Sequence, residues 1–377
     1  MYLDPPFNSK RDYAAPIGSE AAGAAFKDTW TLSDIDEAWI DILRDKYPRI
    51  REFLRWAPES NSDKSYLVYL AMRLIECHRV LASTGSLYLH CDPTMSHYLK
   101  ILLDKIFGKD NFRNEIVWCY STSGRSKKKF AAKHDIILFY SKSENYRFEY
   151  SLKISQKYLD SHYRQTDENG RRCRIRVDAG KVRIYYPEEG MTCNDWWTDI
   201  PYVNSQAKER TGYPTQKPLA LLSRIIKASS QEGDIVLDPF AGCATTCVAA
   251  EGLYRRWIGI DISEKAVELV KRRIKNDLGI LSPNVIHRTD IPKRTDIGKI
   301  PRYNSPEIKK HLFGKQTGQC AGCHSRFEFR HLEVDHYIAQ SVGGTDHIDN
   351  LQLLCSSCNR IKGNRGQEYL ITQLNLD

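Results

Sequence analysis

The sequence has no apolar run near the roughly 18 residues that a membrane-spanning helix needs, and its N-terminus has no apolar core of the kind that marks a secretory signal. No segment therefore suggests a membrane partner, and the expectation is a cytoplasmic protein, nucleoid-associated if its source is bacterial. Internal repeats and low-complexity tracts are also absent, which argues against a solenoid or a solvated tail. Although there are eleven cysteines, no disulfide framework is evident: Cys77, Cys91, Cys119, Cys173, Cys193, Cys243 and Cys247 are scattered and read as buried thiols. Acidic residues are the scarcer charge, 47 against 56 Lys and Arg, and the formal charge of +9 points to an anionic partner without distinguishing nucleic acid from an acidic protein or surface.

What is present is the composition of a folded protein, with 41% hydrophobic and 27% charged residues. At 377 residues the chain is too long for one ordinary core and suggests two or three units. "KSYLVYLAMRLIECHRVLASTG" has apolar positions at helical spacing and gives way at Gly85 to a strand, "SLYLH"; "HYLKILLDKIFG" is a second amphipathic helix, and "NEIVWCY" and "HDIILFYS" read as strands. "PLALLSRIIKASS", "DIVLDPF", "RRWIGIDIS" and "EKAVELVKRRIKNDLG" continue the alternation as helix, strand, strand and helix. Such alternation predicts an α/β fold with a doubly wound, mainly parallel sheet.

Two stretches break the pattern. Residues 145–207 are irregular, polar and basic and read as an insertion outside the sheet, while the Pro-, Lys- and Arg-rich residues 283–312 read as a linker. The expected organisation is thus a first domain over 1–282 and a second over 313–377. One basic cluster (Arg125, Lys127, Lys128, Lys129, Lys133) precedes the insertion, and a second (Arg171, Arg172, Arg174, Arg176, Lys181, Arg183) lies within it. Aromatics stand close to both (Tyr120, Phe130, Tyr185, Tyr186, Trp196, Trp197), a mixture suited to phosphate contact and base stacking. Trp196 and Trp197 by themselves read as core filling, and His90-Cys91-Asp92 as a strand end rather than a metal site.

"IVLDPFAGCATTC" sets an acid and a Gly turn at a strand end, followed by a small-residue helix and a second strand ending in Asp261. In a doubly wound sheet such a turn lets a ligand approach the backbone, and an acid there can bind two ribose hydroxyls. Ala244 stands where a full G-x-G-x-x-G would have glycine, so nicotinamide and S-adenosyl cofactors both stay open. Asp4-Pro5-Pro6-Phe7 at the other end reads by itself as a rigid turn. Only three residues precede it, so either these suffice for an interior strand or the chain as given starts late.

Taken together, Asp-Pro-Pro-Phe, "YPTQKP" at 213–218 and Asp-Pro-Phe-Ala-Gly resemble the amino-methylating DNA methyltransferases in the permuted order, with the catalytic motif before the cofactor motif. "SLYLHCDPT" and "KHDIILFYSKS" extend the resemblance over about residues 1–280. It implies that Asp238, Phe240, Ala241, Gly242, Thr245 and Asp261 surround S-adenosyl-L-methionine, with Thr215, Gln216, Lys217 and Pro218 closing the pocket near its carboxylate. The Asp4 side chain and the Pro5 carbonyl, stiffened by Pro6, would accept hydrogen bonds from an exocyclic base amine, and Phe7 would stack on the base. Adenine N6 is favoured over cytosine N4 because Asp leads the adenine tetrads of this family. DNA is the implied partner, RNA and protein amides being rival substrates, and a homodimer is compatible with the family. A duplex base must be flipped out to reach such a pocket.

At the C-terminus, "CAGC" and "CSSC" supply Cys320, Cys323, Cys355 and Cys358 as two knuckles, the spacing of a structural Zn²⁺ site. "LEVDHYIAQSVGGTDHIDNLQLLC" and "NRIKGNR" resemble the His-Asn-His (HNH) nucleases over about residues 318–365. The resemblance implies a small zinc-stapled ββα fold with His336 as general base, Asn350 orienting it through the main chain, and Asp335 and Asn359 holding Mg²⁺. Ala339 stands where this family often has proline, and Asn359 where its name has histidine. The whole reads as a methyltransferase fused to a nuclease, a pairing suited to restriction–modification. The rival reading makes the C-terminal module a DNA-binding unit that does not cut.

Overall fold

The structure is a computed structural model, and it describes all residues except 23, 33–35, 37–39, 41–42, 44–46, 122–126, 150, 153, 279–284, 290–301, 343–345 and 375–377. Arg125 and, of the expected linker, residues 283–284 and 290–301 thus lie outside the described residues.

The first strands in chain order are β1 (Tyr2–Leu3), β2 (Asp12–Ala14), β3 (Ala25–Lys27), β4 (Ser86–Cys91), β5 (Phe112–Cys119) and β6 (His134–Ser141). Five strands form the main sheet in the order β1-β4-β6-β5 and then Trp196–Trp197, with β1 parallel to β4 and β6 antiparallel to both β4 and β5. Residues on β4 and β6 are apolar on both faces because helices cover both. Leu87, Leu89, Ile136, Leu138 and Tyr140 face helices Asn61–Val80 and Ser96–Phe107, while Tyr88, Ile137 and Phe139 face Leu219–Ser229 and Thr245–Glu251. The two-residue β1 suffices as a strand: Tyr2 and Leu3 pair with Tyr88 and Leu89, and both are buried.

The insertion carries β7 (Ser151–Leu152), β8 (Gln165–Thr166), β9 (Arg172–Asp178), β10 (Lys181–Tyr185) and β11 (Met191–Thr192), with a short helix, Gln156–His162. Its last element differs from expectation. β12 (Trp196–Trp197) joins the main sheet as an edge strand parallel to β5, because Trp197 is apolar enough to be buried beside Ile116 and Trp118 and its indole finds the Asn194 carbonyl at 2.7 Å. Trp197 is therefore core, whereas Trp196 is 56% exposed.

Two further strands, β13 (Ile235–Asp238) and β14 (Arg256–Gly259), pair in parallel, with β13 beside β1. That adjacency brings the chain's fourth residue next to the Gly turn after Asp238. Three of these five ladders are parallel, as a doubly wound sheet requires. No disulfide forms: Cys77, Cys91, Cys173, Cys243 and Cys247 are buried thiols, while Cys119 and Cys193 are half-buried.

The C-terminal module is a ββα unit: β15 (Leu332–His336) pairs antiparallel with β16 (Leu351–Cys355), and helix Ser356–Lys362 follows. Helix Pro306–Lys315 also belongs to it. Ile308 and Leu312 are buried in its core, so the expected linker ends earlier than residue 312.

Candidate functional site

The first loop is shaped by one carboxylate. Asp28, almost wholly buried, accepts hydrogen bonds from the backbone N–H of Phe7 (3.2 Å), Asn8 (2.7 Å) and Ser9 (2.7 Å) and from the Trp30 indole (3.1 Å). Asn8 sits at φ 61° in the left-handed region, its side chain held by Asp63 (2.7 Å) and Ser62 (2.9 Å) at the start of helix Asn61–Val80. Nothing in the sequence marks Asp28, since a lone acid between polar residues has no pattern. It turns Asp4-Pro5-Pro6-Phe7 toward the C-terminal ends of β1 and β13.

Beneath Phe7 lies His90, fully buried, with ring centroids 5.7 Å apart and 23° between planes. Its Nδ1 is 2.8 Å from the Tyr2 hydroxyl and its Nε2 is 2.9 Å from Asp135, which also accepts from the Tyr120 hydroxyl at 2.8 Å. Burial works against the Asp135 carboxylate, but the hydrogen bond and charge of His90, with Lys217 and Tyr120, hold it below the usual range. His90 is therefore a polar brace, while Asp92 accepts from the backbone N–H groups of Thr94 and Met95, each at 3.1 Å. Both partners of the brace lay in segments that were legible only as strands.

At the second turn, Gly242 has φ 51°, and a Cβ there would meet the Tyr213 ring at 3.1 Å. Its N–H donates to Asp261 at 2.8 Å, and Asp261 also caps Ser263 N–H at 2.8 Å. Asp238 is buried, accepts from Phe240 N–H at 3.0 Å, and has its pKa pushed up to about 7, chiefly by desolvation and further by Asp4 and Asp261.

These two turns share one cleft of about 460 Å³. Asp4, Pro5, Pro6, Phe7, Asp238, Phe240, Ala241, Gly242, Thr245, Asp261, Thr215, Gln216 and Lys217 all line it. Pro218 does not; it is buried at the start of helix Leu219–Ser229, whose first turn is closed by Glu209 accepting from Leu219 N–H at 2.8 Å. Gln216 knits its own loop, accepting from Thr211 at 2.9 Å and donating to the Glu209 carbonyl at 2.6 Å. Lys217 places its ammonium 2.8 and 2.7 Å from the two Asp4 oxygens. A more open basin of about 890 Å³ adjoins the cleft across Phe7 and Lys217, lined also by Trp118, Tyr120, Lys129, Tyr202 and Arg210.

Residues 1–272 match the DNA methylase family, and 320–365 match HNH endonuclease. The chain belongs to the DNA methylase family. It carries an HNH domain at its C-terminal end. The Type II methyltransferase M.EcaI of Enterobacter cloacae is 31% identical over 261 residues, 56% of this chain and 58% of that protein. The DNA adenine methyltransferase YhdJ of Escherichia coli (strain K12) is 33% identical over 57% of this chain and 69% of its own, and the Type II methyltransferase M.HpaI of Haemophilus parainfluenzae is 30% identical over 65% and 71%. The chain thus spans about three-fifths of the length of M.EcaI. Among solved structures, the M1.HpyAVI–SAM complex aligns at a TM-score of 0.38 and 18% identity, covering 65% of this chain and 98% of that one. The cytosine-N4-specific PvuII DNA methyltransferase aligns at 0.41 and 15%, covering 58% and 74%.

In the C-terminal module of this DNA methylase, the sulfurs of Cys320, Cys323, Cys355 and Cys358 lie within 4.8 Å of one another. Backbone N–H groups of Cys355 (3.2 Å) and Gly322 (3.3 Å) point at the Cys320 sulfur, the environment of a thiolate that ligates a metal. The cluster is compatible with tetrahedral zinc.

His336 Nε2 is 2.8 Å from Asp346, whose carboxyl is held below its usual range by that hydrogen bond. Asn350 bridges Ile338, accepting from its N–H at 2.9 Å and donating to its carbonyl at 3.0 Å, two residues beyond His336. Asp335 and Asn359 take different partners. Asp335 Oδ2 pairs with the fully buried Lys362 at 3.0 Å and accepts from Gln352 at 3.0 Å, while Asn359 donates to Glu333 at 2.6 Å. Asp346 and Lys362 were missed; the first lies in "GGTDHIDN" with no helical or strand period to place it, and the second has no local signal that marks it as the buried partner of Asp335.

Proposed function

We propose that the chain moves a methyl group from S-adenosyl-L-methionine to an exocyclic base amine of DNA, adenine N6 first and cytosine N4 second. The observation that carries this reading is the convergence of Asp4 and Gly242, 238 positions apart in sequence, on one cleft. The cleft fits the cofactor: its volume suits a nucleoside with a short tail, the glycine turn brings backbone close, and Asp261, with each oxygen already holding one N–H, retains acceptor sites for ribose hydroxyls. Bound there, the cofactor would supply an electrophilic methyl group on a sulfonium.

The residues of this chain do the rest. An exocyclic amine is a weak nucleophile because its lone pair is delocalised into the ring. Asp4 and the Pro5 carbonyl would accept its hydrogen bonds, turning the lone pair toward the donor and stabilising the positive charge that develops on nitrogen. The proton shed by that nitrogen would leave along its hydrogen bond to Asp4. Phe7, backed by His90, would stack on the base, and the outer basin would receive the flipped nucleotide.

The insertion supports a nucleic acid, rather than a protein, as substrate. In the β9–β10 hairpin Arg176 stands directly opposite Arg183, and neither has a partner among the described residues. Like charges in register destabilise a sheet unless an anion joins them. Three other members of the second basic cluster are already engaged: Arg171 pairs with Glu188, Arg172 with Asp160, and Arg174 with Tyr158.

The C-terminal module is read as a Zn²⁺-stapled HNH-type endonuclease in a restriction–modification setting. Asp335 Oδ1 and Asn359 Oδ1, oxygens without partners among the described residues, would hold Mg²⁺, and His336, oriented by Asp346 and the Asn350-braced loop, would activate water. The Lys362 ammonium on Asp335 supports the rival reading, a DNA-binding module that does not cut, because it already supplies the cation that Asp335 needs.

Mass spectrometry of nucleosides after incubating plasmid DNA and RNA with protein and labelled donor tests the first activity: N6-methyladenine in DNA is expected, and label only in RNA or protein would refute it. Nicking of plasmid with Mg²⁺, abolished by His336→Ala while methylation persists, tests the second. No nicking by the unsubstituted protein would leave the binding module.

A further inference from the structure

Lys217 stands where the two cavities meet. It lines the inner cleft with Asp4 and Gly242 and the outer basin with Tyr120 and Tyr202. Its ammonium lies within hydrogen-bond reach of both Asp4 oxygens and 5.0 Å from the centroid of the Phe7 ring. Asp4 thus already receives a nitrogen donor beside an aromatic ring, which is the arrangement that a target amine would have to adopt.

Resting on the methyltransferase reading above, we propose that Lys217 is a movable counter-ion that couples the two substrates: the cofactor's carboxylate draws the ammonium off Asp4, and Asp4 then receives the base amine.

Three physical considerations lead there. The ammonium takes one acceptor site on each Asp4 oxygen, in the region where Phe7 would stack a base, so it competes with the amine for the same carboxylate. It also opposes the chemistry, because the amine nitrogen becomes cationic as its bond to carbon forms, and a fixed positive charge within a few ångströms repels it at low effective dielectric. Finally, the Lys217 side chain is only 8% exposed. A buried ammonium does not leave one anion unless another is there to receive it. A compact charge on a flexible four-carbon stem can make that exchange within one cleft, where the planar fork of arginine would be held more rigidly. An anion arriving in the inner cleft therefore changes what Asp4 can bind, and by linkage the base amine must change the affinity for that anion by the same factor.

The test measures binding rather than turnover. S-adenosylhomocysteine, which keeps the carboxylate and lacks the methyl group, is titrated into the unsubstituted protein with and without unmethylated plasmid DNA. DNA is expected to tighten its Kd about tenfold, within the range of ordinary site-to-site coupling. In Lys217→Met the two constants should agree within about twofold. A second arm needs no variant: the decarboxylated analogue of S-adenosylhomocysteine should bind the unsubstituted protein equally well with and without DNA. Coupling that persists in Lys217→Met, coupling shown equally by the decarboxylated ligand, or no coupling in the unsubstituted protein overturns the proposal. If S-adenosylhomocysteine does not bind at all, the methyltransferase reading itself fails; methylation without coupling removes only the role given to Lys217.

Discussion

The imidazole of His90 supports the ring of Phe7 from below while its two nitrogens are held by Tyr2 and Asp135. One face of Phe7 is therefore backed by a side chain that cannot rotate. His90→Ala is expected to lower kcat for methylation about tenfold through loss of base positioning, with the Kd for S-adenosylhomocysteine changed less than twofold, as read by labelled-donor turnover and by titration. An unchanged kcat would reduce His90 to a space-filler.

The facing pair Arg176 and Arg183 should act on DNA alone. The double variant Arg176→Ala, Arg183→Ala is expected to raise KM for DNA about tenfold and to lower the slope of log affinity against log salt by about 2, one phosphate per arginine. Filter binding across a salt series gives the slope. If the slope does not move, the hairpin is not at the DNA.

Asp238 makes stability depend on pH in a stated direction. Its folded pKa of about 7 lies above the ordinary 3.8, so the native state holds an extra proton between those values. Its contribution is fully present below pH 4, declines as pH rises through 7, and is lost above. Asp238→Asn removes this dependence while keeping an acceptor for Phe240 N–H. Relative to the unsubstituted protein, the variant should gain about 4 kcal/mol between pH 4 and pH 8, an order-of-magnitude figure from the shift. Urea unfolding of both proteins at the two pH values reads the difference, and parallel curves would contradict the burial of an ionisable group there.

Removing metal should affect one module only. The four-cysteine cluster predicts one Zn²⁺ per chain by elemental analysis. Cys358→Ser or a strong chelator is expected to unfold residues 306–374, because a module this small draws most of its folding free energy from the metal. Methylation by residues 1–278 should persist. Loss of both activities together would mean that the two modules fold as one.

Much of this was legible from local pattern. Apolar residues at helical spacing marked Asn61–Val80 and Ser96–Phe107, continuous apolar runs marked β4 and β6, and two Cys-x-x-Cys knuckles marked the sulfur cluster, because each signal sits within a few residues of chain and reflects a single period or spacing. The edge strand Trp196–Trp197 escaped detection because two residues have no period; only the open edge of β5 makes them a strand. Asp28, His90 with Asp135, and Asp346 escaped for a related reason. A single acid or imidazole becomes informative only when the groups it satisfies, donated from other segments, are known.

The sequence by itself determined the chemistry on offer: a tetrad with two acceptors and a stacking ring, a glycine turn before an acid, four thiolates, and an excess of positive charge. These depend on residue type and short spacing. Tertiary structure decided which of those groups meet. The adjacency of β1 and β13 puts Asp4 at the Gly242 turn, burial pairs Asp4 with Lys217 and Asp335 with Lys362, and strand register sets Arg176 against Arg183. Contacts between residues far apart in sequence depend on how elements stack and on which charges must be neutralised once water is excluded, and neither condition is written in any local stretch of chain.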